Sequence, residues 1–318
     1  MQPWEEVCDQ QSGVVARRQL LELGLQPHDI RRMLKRRELS PVLPGVYVDH
    51  TGNPTWLQQA WGAVLYAWPA ALAGESALRA AERVRLDSTT PHVIEVAIDR
   101  RRNVVAQPGL RVARRKRLDA MVSWNRSPPR LRYEEAVLDV ATSGDDEVVT
   151  VATLARACAS RRTTADRILA AMHPRTRVRR RRWIQAVLAD IASGTHSVLE
   201  HGYLRRVERP HGLPAARRQL KAVGSGGAVY RDADLELVVI ELDGRIYHET
   251  AEQRDVDLDR DLDVLGEGRP TARLGWGQVF RRPCRTAAKL AVILQQHGWM
   301  GTARRCSSPD CLVDEGSA

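Results

Sequence analysis

The chain has 318 residues, 43% hydrophobic and 28% charged, enough apolar sequence for two or three cores and too balanced a composition for a low-complexity or disordered protein. A net charge of +10 and a pI near 9.9 point to a polyanionic partner, although only 4 of the 49 basic residues are lysine and there is a single Phe, a pattern that also reads as GC-rich coding bias. The five cysteines are scattered and odd in number, which fits a reducing cytoplasm. The first residues lack a basic stretch followed by an apolar one, and the longest apolar run, 60–74, is short and contains Pro69, so neither a leader nor a membrane span is expected.

The first fifty residues predict a small helical unit. A helix over 4–10 is broken by Ser12-Gly13, a second over 16–23 ends at Gly24, and a third begins near Pro27 and carries IRRMLKRR. Ile30, Met33 and Leu34 form the buried stripe of that third helix, leaving Arg31, Arg32, Lys35 and Arg36 outward. LSPVLPGVYV then gives two strands around Pro44-Gly45.

With Gly-Val-Tyr at 45–47 as its most recognisable part, this segment resembles the winged-helix N-terminal domain of AbiEi-type antitoxins. The resemblance implies a recognition helix over 26–37 whose cations meet phosphates, and guanine edges, of double-stranded DNA. The competing reading is an ordinary solvated helix face.

Between 55 and 190 the sequence says less. Trp56, Leu57, Ala60, Trp61 and Leu65 recur at helical spacing and read as core rather than as a stacking platform. A helix over 76–85, a strand over 92–98, a turn at 100–103 and a strand over 110–114 pairing back predict an α+β extension. In antitoxin-like proteins such a region contacts the toxin partner. Helical patterns at 131–141, 149–159 and 164–172 lead to PRTRVRRRRW, the densest basic block, in which Arg179 and Arg180 either track a DNA backbone or belong to an exposed helix start.

The chemistry concentrates further on. VYRDADLELVVIELDGRIYH, 229–248, predicts a hairpin: a strand over 228–232, a turn over 233–236, and a buried strand over 237–242. Period two puts Glu241 and Asp243 on one face, and the hairpin brings Asp232 near Glu241. Acids packed this way repel unless protonated, solvated, paired or bridged by a cation, and oxygen-only donors suit Mg²⁺ or Mn²⁺. A solvated sheet edge is the bland alternative.

Glu200, Asp232, ELDG at 241–244, His248, DLDRD at 257–261 and ARLGW at 272–276 together resemble an uncharacterised family allied to very-short-patch repair endonucleases, in the PD-(D/E)xK superfamily. The resemblance covers about 193–305. It implies catalytic residues Glu200, Asp232, Glu241, Asp243 and His248, with Glu200, Asp232 and Glu241 holding Mg²⁺ or Mn²⁺ and Asp234 as an alternative ligand, because the hairpin is short for the family. Asp243 stands where the superfamily has its Lys, and His248 is the implied acid or base.

Two features compete with these roles. SVLE at 197–200 is a capping box that would equally occupy Glu200, and Arg260, which could pair with the acid cluster or touch a phosphate, reads more readily as an i,i+4 helix-surface pair. GSGG at 224–227 lacks the Lys-Ser or Lys-Thr of a phosphate loop. Downstream, a helix over 251–265, a strand over 272–274 extending to Gln278-Val279 and a helix over 283–297 are expected. The tail reads as mobile; Cys306 and Cys311 offer one thiol pair with no second pair to complete four zinc ligands, and His196, His201 and His211 read as structural.

The predicted fold is α+β multidomain: a winged helix over 1–52, a mixed α+β extension over 53–130, a helical region with the basic run over 131–192, a restriction-endonuclease-like α/β domain with a central mixed sheet over 193–305, and a flexible tail over 306–318. The predicted function is a cytoplasmic, DNA-binding, metal-dependent endonuclease. The alternative is an AbiEi-type regulator whose nuclease-like domain is inactive and which pairs with a toxin.

Overall fold

The computed structural model describes residues 2–82, 93–193, 197–224, 227–243 and 270–313. The protein is mixed α+β, with three sheets among the described residues, and divides into two compact units, Met1–Ser143 and Gly144–Ala318.

The first unit opens with α1 (Pro3–Gln10), β1 (Val14–Ala16), α2 (Arg17–Glu22), α3 (Pro27–Arg36), β2 (Ser40–Leu43) and β3 (Val46–Val48), the strands forming an antiparallel sheet in the order β1-β3-β2. Pro27 at the first turn, Asp29 accepting from the Gln26 N–H at 3.0 Å, and Arg37 in the left-handed region at the far end set the limits of α3. Gly13 is required by geometry: its φ is +85°, and a Cβ there would lie 2.5 Å from Asp49 Oδ1.

Strands β1 and β3 are buried on both faces, which explains why VVA and VYV read as continuous apolar runs, while the edge strand β2 is half-buried with Pro41 exposed. Val15 and Tyr47 face a core with Leu20, Ile30 and Met33 from the helices and Leu39 from the turn before β2. Val14, Ala16, Val46 and Val48 face a second core with Trp61 and Leu65 of α4 (Trp56–Ala67). The 1–52 segment is therefore covered by the helix that follows it and is continuous with the rest of its unit. Within α4, Ala60, Trp61 and Leu65 are buried as expected, whereas Leu57 is exposed and Trp56 lies under the Arg79 guanidinium at 4.2 Å.

After β4 (Ala71–Leu72) and α5 (Gly74–Glu82), β5 (Ile94–Asp99) and β6 (Leu110–Arg115) pair in parallel, Ile94 with Leu110 through Asp99 with Arg115. The expected hairpin is replaced by a crossover. Returning along six residues of β5 needs about 20 Å, and residues 100–109 reach about 33 Å when extended, so no helix is needed. Arg102 clamps the crossover, its Nη1 donating to the carbonyls of Ala67 and Pro69 and its Nη2 to that of Trp68, each at 2.7 Å. Following α6 (Leu118–Met121), β7 (Val122–Ser123) and β8 (Arg130–Leu131) complete a sheet in the order β6-β5-β4-β8-β7, and α7 (Tyr133–Ser143) ends the unit.

The second unit begins with α8 (Glu147–Ala159), α9 (Ala165–Met172), α10 (Arg181–Ser193) and α11 (Ser197–Tyr203), the last continued by a π-helical turn, Leu204–Glu208. A sheet in the order β12-β11-β10-β9 follows, built from β9 (Arg217–Gly224), β10 (Gly227–Asp234), β11 (Val239–Asp243) and β12 (Thr271–Gly275). The β9-β10 and β10-β11 pairs are antiparallel and the β11-β12 pair is parallel. Gln278 and Val279, expected as strand, belong to a second π-helical turn, Gly277–Arg281, because Trp276 has already turned into helical backbone. Helix α12 (Pro283–Gln296) precedes a segment without regular structure that is nonetheless packed: Ala303, Cys311 and Val313 are buried, unlike the mobile tail expected from its polarity. Among the described residues no helix is long and apolar enough to cross a membrane.

Candidate functional site

Strand β11 forms because Val239, Ile240 and Leu242 are all buried, and the alternation along it sets Glu241 and Asp243 apart as the half-buried positions. Glu241 stands opposite Arg273 in the parallel ladder, with Arg273 Nε 3.3 Å from Glu241 Oε2, and Asp243 stands opposite Gly275. On the other side Ala233 pairs with Ile240 and Asp234 with Val239, so the next register position places the backbone of Asp232 beside Glu241 and that of Asp234 two residues away. The side chains of Asp232 and Asp234 lie outside the described residues, as do His248 and the 257–261 run.

Glu200 is half-buried in the first turn of α11. The Val198 N–H of that turn donates to Asp190 Oδ2 at 2.8 Å, so a buried carboxylate of α10 caps the helix. Leu199, Tyr203 and Val207 are buried along α11 and the π-helical turn that continues it. Gly202 lets the Phe280 ring approach, since a Cβ there would lie 2.5 Å from the ring edge. Beside α11 lies an open cavity of about 700 Å³ whose lining includes Trp183, His201, Arg205, Arg206 and Phe280, with Arg206 over the Phe280 ring at 4.9 Å and 2.9 Å from Glu147. This basic, aromatic cleft was not visible in the sequence, because Trp183 and Phe280 are far along the chain from Arg205 and Arg206 and only the fold brings them together.

The cations of α3 are exposed: Arg31, Arg32, Lys35 and Arg36 all face solvent. Arg32 pairs with Asp29 at 2.8 Å and Arg36 with Glu38 at 3.8 Å. Contacts with Gln26 and Arg32 hold the Asp29 carboxyl below its ordinary range, the backbone hydrogen bond from Gln26 contributing most. The second basic block is largely spent on its own unit. Arg179 pairs with Asp145, Arg180 donates to the Gly144 and Asp145 carbonyls and to Thr150 Oγ1 at 3.1 Å, and Arg181 donates to the Met172 and Arg175 carbonyls.

Among the described residues, one group of three or more His, Cys, Asp and Glu side chains lies close enough to share a metal ion, and it contains none of Glu200, Glu241 and Asp243. It consists of His211, Cys284, Cys306 and Cys311, with one ligand atom from each and all four within 4.8 Å of one another. The thiols of Cys284 and Cys306 are 3.6 Å apart. Burial pushes the Cys284 thiol up to about 12, aided by the sulfurs of Cys306 and Cys311 beside it. Burial opposes ionisation of Cys311 too, but hydrogen bonds from the Cys306 and Val313 backbone outweigh it and bring that thiol down to about 6. The visible trace in the sequence was the Cys306–Cys311 spacing; the other two members are too distant along the chain to be associated with it. Compared with known proteins, the chain matches no family model and no curated sequence.

Proposed function

We propose that this protein binds double-stranded DNA through α3 and hydrolyses phosphodiester bonds at the end of β11, as an Mg²⁺- or Mn²⁺-dependent endonuclease of the cytoplasm. The observation carrying this reading is the pair Glu241 and Asp243, adjacent on one side of a strand whose alternate residues are buried, in a sheet with an antiparallel and a parallel neighbour. The α-β-α-α-β-β order of the first segment, with a short β2-β3 hairpin beside an exposed row of cations, supports a winged helix and hence a DNA partner.

The donor chemistry fits a hard divalent cation: all the candidates are carboxylates, and Glu241 at the end of its strand and Glu200 on α11 are half-buried. Glu241 and Asp232, or Asp234 in its place, would hold the ion, with Glu200 as a further ligand. A cation bound there supplies an activated water and neutralises charge on the scissile phosphate. Asp243 cannot provide the positive charge that a lysine at its position would, but Arg273 stands on the neighbouring strand within reach of the same acid and is suited to steadying the anionic transition state. His248 completes the reading as acid or base.

The test is incubation of the full chain with supercoiled and linear DNA in Mg²⁺, Mn²⁺ or EDTA, beside Asp232→Asn and Glu241→Gln. Metal-dependent cutting lost in both variants is expected; equal cutting by all, or none under any condition, sinks the enzyme reading. A second reading, a DNA-binding regulator with an inactive nuclease fold and a toxin partner docking on 53–130, is favoured by Asp243 itself. It gains if Arg32→Glu and Arg36→Glu abolish DNA binding while no cleavage is detected.

A further inference from the structure

We propose that His211, Cys284, Cys306 and Cys311 form a structural Zn²⁺ site that fastens the segment after α12 to the turn following α11 and to the first turn of α12. Three thiols and one imidazole are a donor set for zinc and a poor one for Mg²⁺ or Mn²⁺, so this site and the proposed nuclease centre would take different ions. The two proposals stand or fall separately.

The geometry is that of a tetrahedral edge. Zinc–sulfur bonds of about 2.3 Å place two thiolates on one ion roughly 3.8 Å apart. The 3.6 Å between the Cys284 and Cys306 sulfurs is close to that value and far beyond a disulfide bond of about 2.05 Å. The imidazole is prepared for the same role. His211 is fully buried, its Nδ1 lies 2.8 Å from the Val207 carbonyl, and its Nε2 has no hydrogen-bond partner. A carbonyl at Nδ1 fixes the proton there and leaves the Nε2 lone pair available, the arrangement that metal-bound histidines share. An orphaned, buried ring nitrogen among three sulfurs is costly without an ion.

The surrounding chain is built to hold these four. His211 sits in a turn that Leu213 closes by donating to the Glu208 carbonyl at 3.1 Å. The tail is laid against that turn by Arg304, whose N–H donates to the His211 carbonyl at 2.9 Å and whose Nη2 donates to the Arg209 carbonyl at 3.2 Å. Cys284 occupies the first turn of the 14-residue α12, which fixes its position beside the tail. Cys306 and Cys311 are separated by four residues, a normal ligand spacing, with Cys311 N–H donating to the Ser308 carbonyl at 3.2 Å in the loop between them.

With four protein ligands the ion has no open position, so the site supports structure and not hydrolysis. Each cysteine enters as a thiolate, any proton it still carries is released to solvent, and the neutral histidine adds its lone pair without losing one.

The test uses the full chain. Metal analysis of protein grown with zinc is expected to give one zinc per chain, and Co²⁺ reconstitution to give the intense ligand-field bands of a tetrahedral site with sulfur-to-metal charge transfer. His211→Cys is expected to keep one metal and shift the cobalt bands toward a four-sulfur pattern, so loss of a ligand is separated from loss of the fold. Zinc well below stoichiometry together with octahedral cobalt bands overturns the site. A native Cys284–Cys306 disulfide in the mass spectrum also overturns it. Cobalt bands unmoved by His211→Cys overturn the four-ligand assignment.

Discussion

Arg273 stands directly opposite Glu241 in the β11-β12 ladder, its Nε 3.3 Å from the carboxylate. Both side chains are about a quarter exposed, so the attraction is partly screened and the arginine is placed less for stability than for charge beside the acid. If it steadies the transition state, Arg273→Ala lowers the cleavage rate by about a hundredfold and Arg273→Lys restores part of it. Single-turnover cleavage at saturating DNA measures this; an unchanged rate assigns Arg273 to the sheet alone.

The exposed cations of α3 make a prediction about salt. Each phosphate contact adds roughly 0.9 to the slope of log affinity against log salt concentration. Arg32→Ala combined with Lys35→Ala should lower that slope by about 2. Fluorescence anisotropy with a duplex across a salt series reads it, and a slope unchanged in the double variant removes α3 from the interface. Arg180→Ala is expected to leave the slope alone and instead loosen its own unit, since its guanidinium is bound to the Gly144 and Asp145 carbonyls.

Asp146 caps α8 by accepting from the Val148 and Val149 N–H groups at 2.8 and 3.1 Å, and it pairs with Arg281 of the second π-helical turn at 2.7 Å. Burial is the largest single influence and raises its carboxyl, but the Arg281 and backbone hydrogen bonds together outweigh it and hold the group below the ordinary range. A lowered folded value means the contribution is full above the unfolded value of about 4 and is lost as pH falls through the folded one. Asp146→Ala should cost about 1 kcal/mol near neutral pH. In urea denaturation the gap between variant and parent should close in acid; a gap that persists there contradicts the account.

Arg102 gives the fourth prediction. Its guanidinium satisfies three carbonyls of residues 67–69 and so holds the β5-β6 crossover to the end of α4. Arg102→Ala should destabilise the first unit by about 2 kcal/mol. Arg102→Lys should recover little, because one ammonium cannot reproduce the planar fork. Denaturation followed by Trp fluorescence distinguishes the two, and equal stability of all three proteins would refute the clamp.

Some of this was legible in the sequence for a physical reason and some was not. The β10-β11 hairpin is written locally, in the period-two alternation around Glu241 and Asp243, and the limits of α3 are written in Pro27 and the polarity of its faces. The direction in which β6 pairs with β5 is not a local property: both strands alternate identically whether parallel or antiparallel, and the contacts that hold the crossover, Arg102 to residues 67–69 and Tyr66 to Val105, are distant in sequence. The Gln278-Val279 alternation imitates a strand, yet Trp276 and Phe280 stack at 5.1 Å along a π-helical turn. The Cys/His cluster joins position 211 to 284, 306 and 311, a proximity created entirely by the fold.

Asp190 never approaches the chemistry in sequence and carries none itself, yet the amide it binds lies two residues before Glu200. If Glu200 holds the ion as proposed, a mutational screen scored on DNA cleavage would flag Asp190 as if it were part of the catalytic machinery. Separating architect from operative will take the Asp190→Asn variant, which keeps the acceptor and sheds the charge: activity retained there marks a residue that aims another.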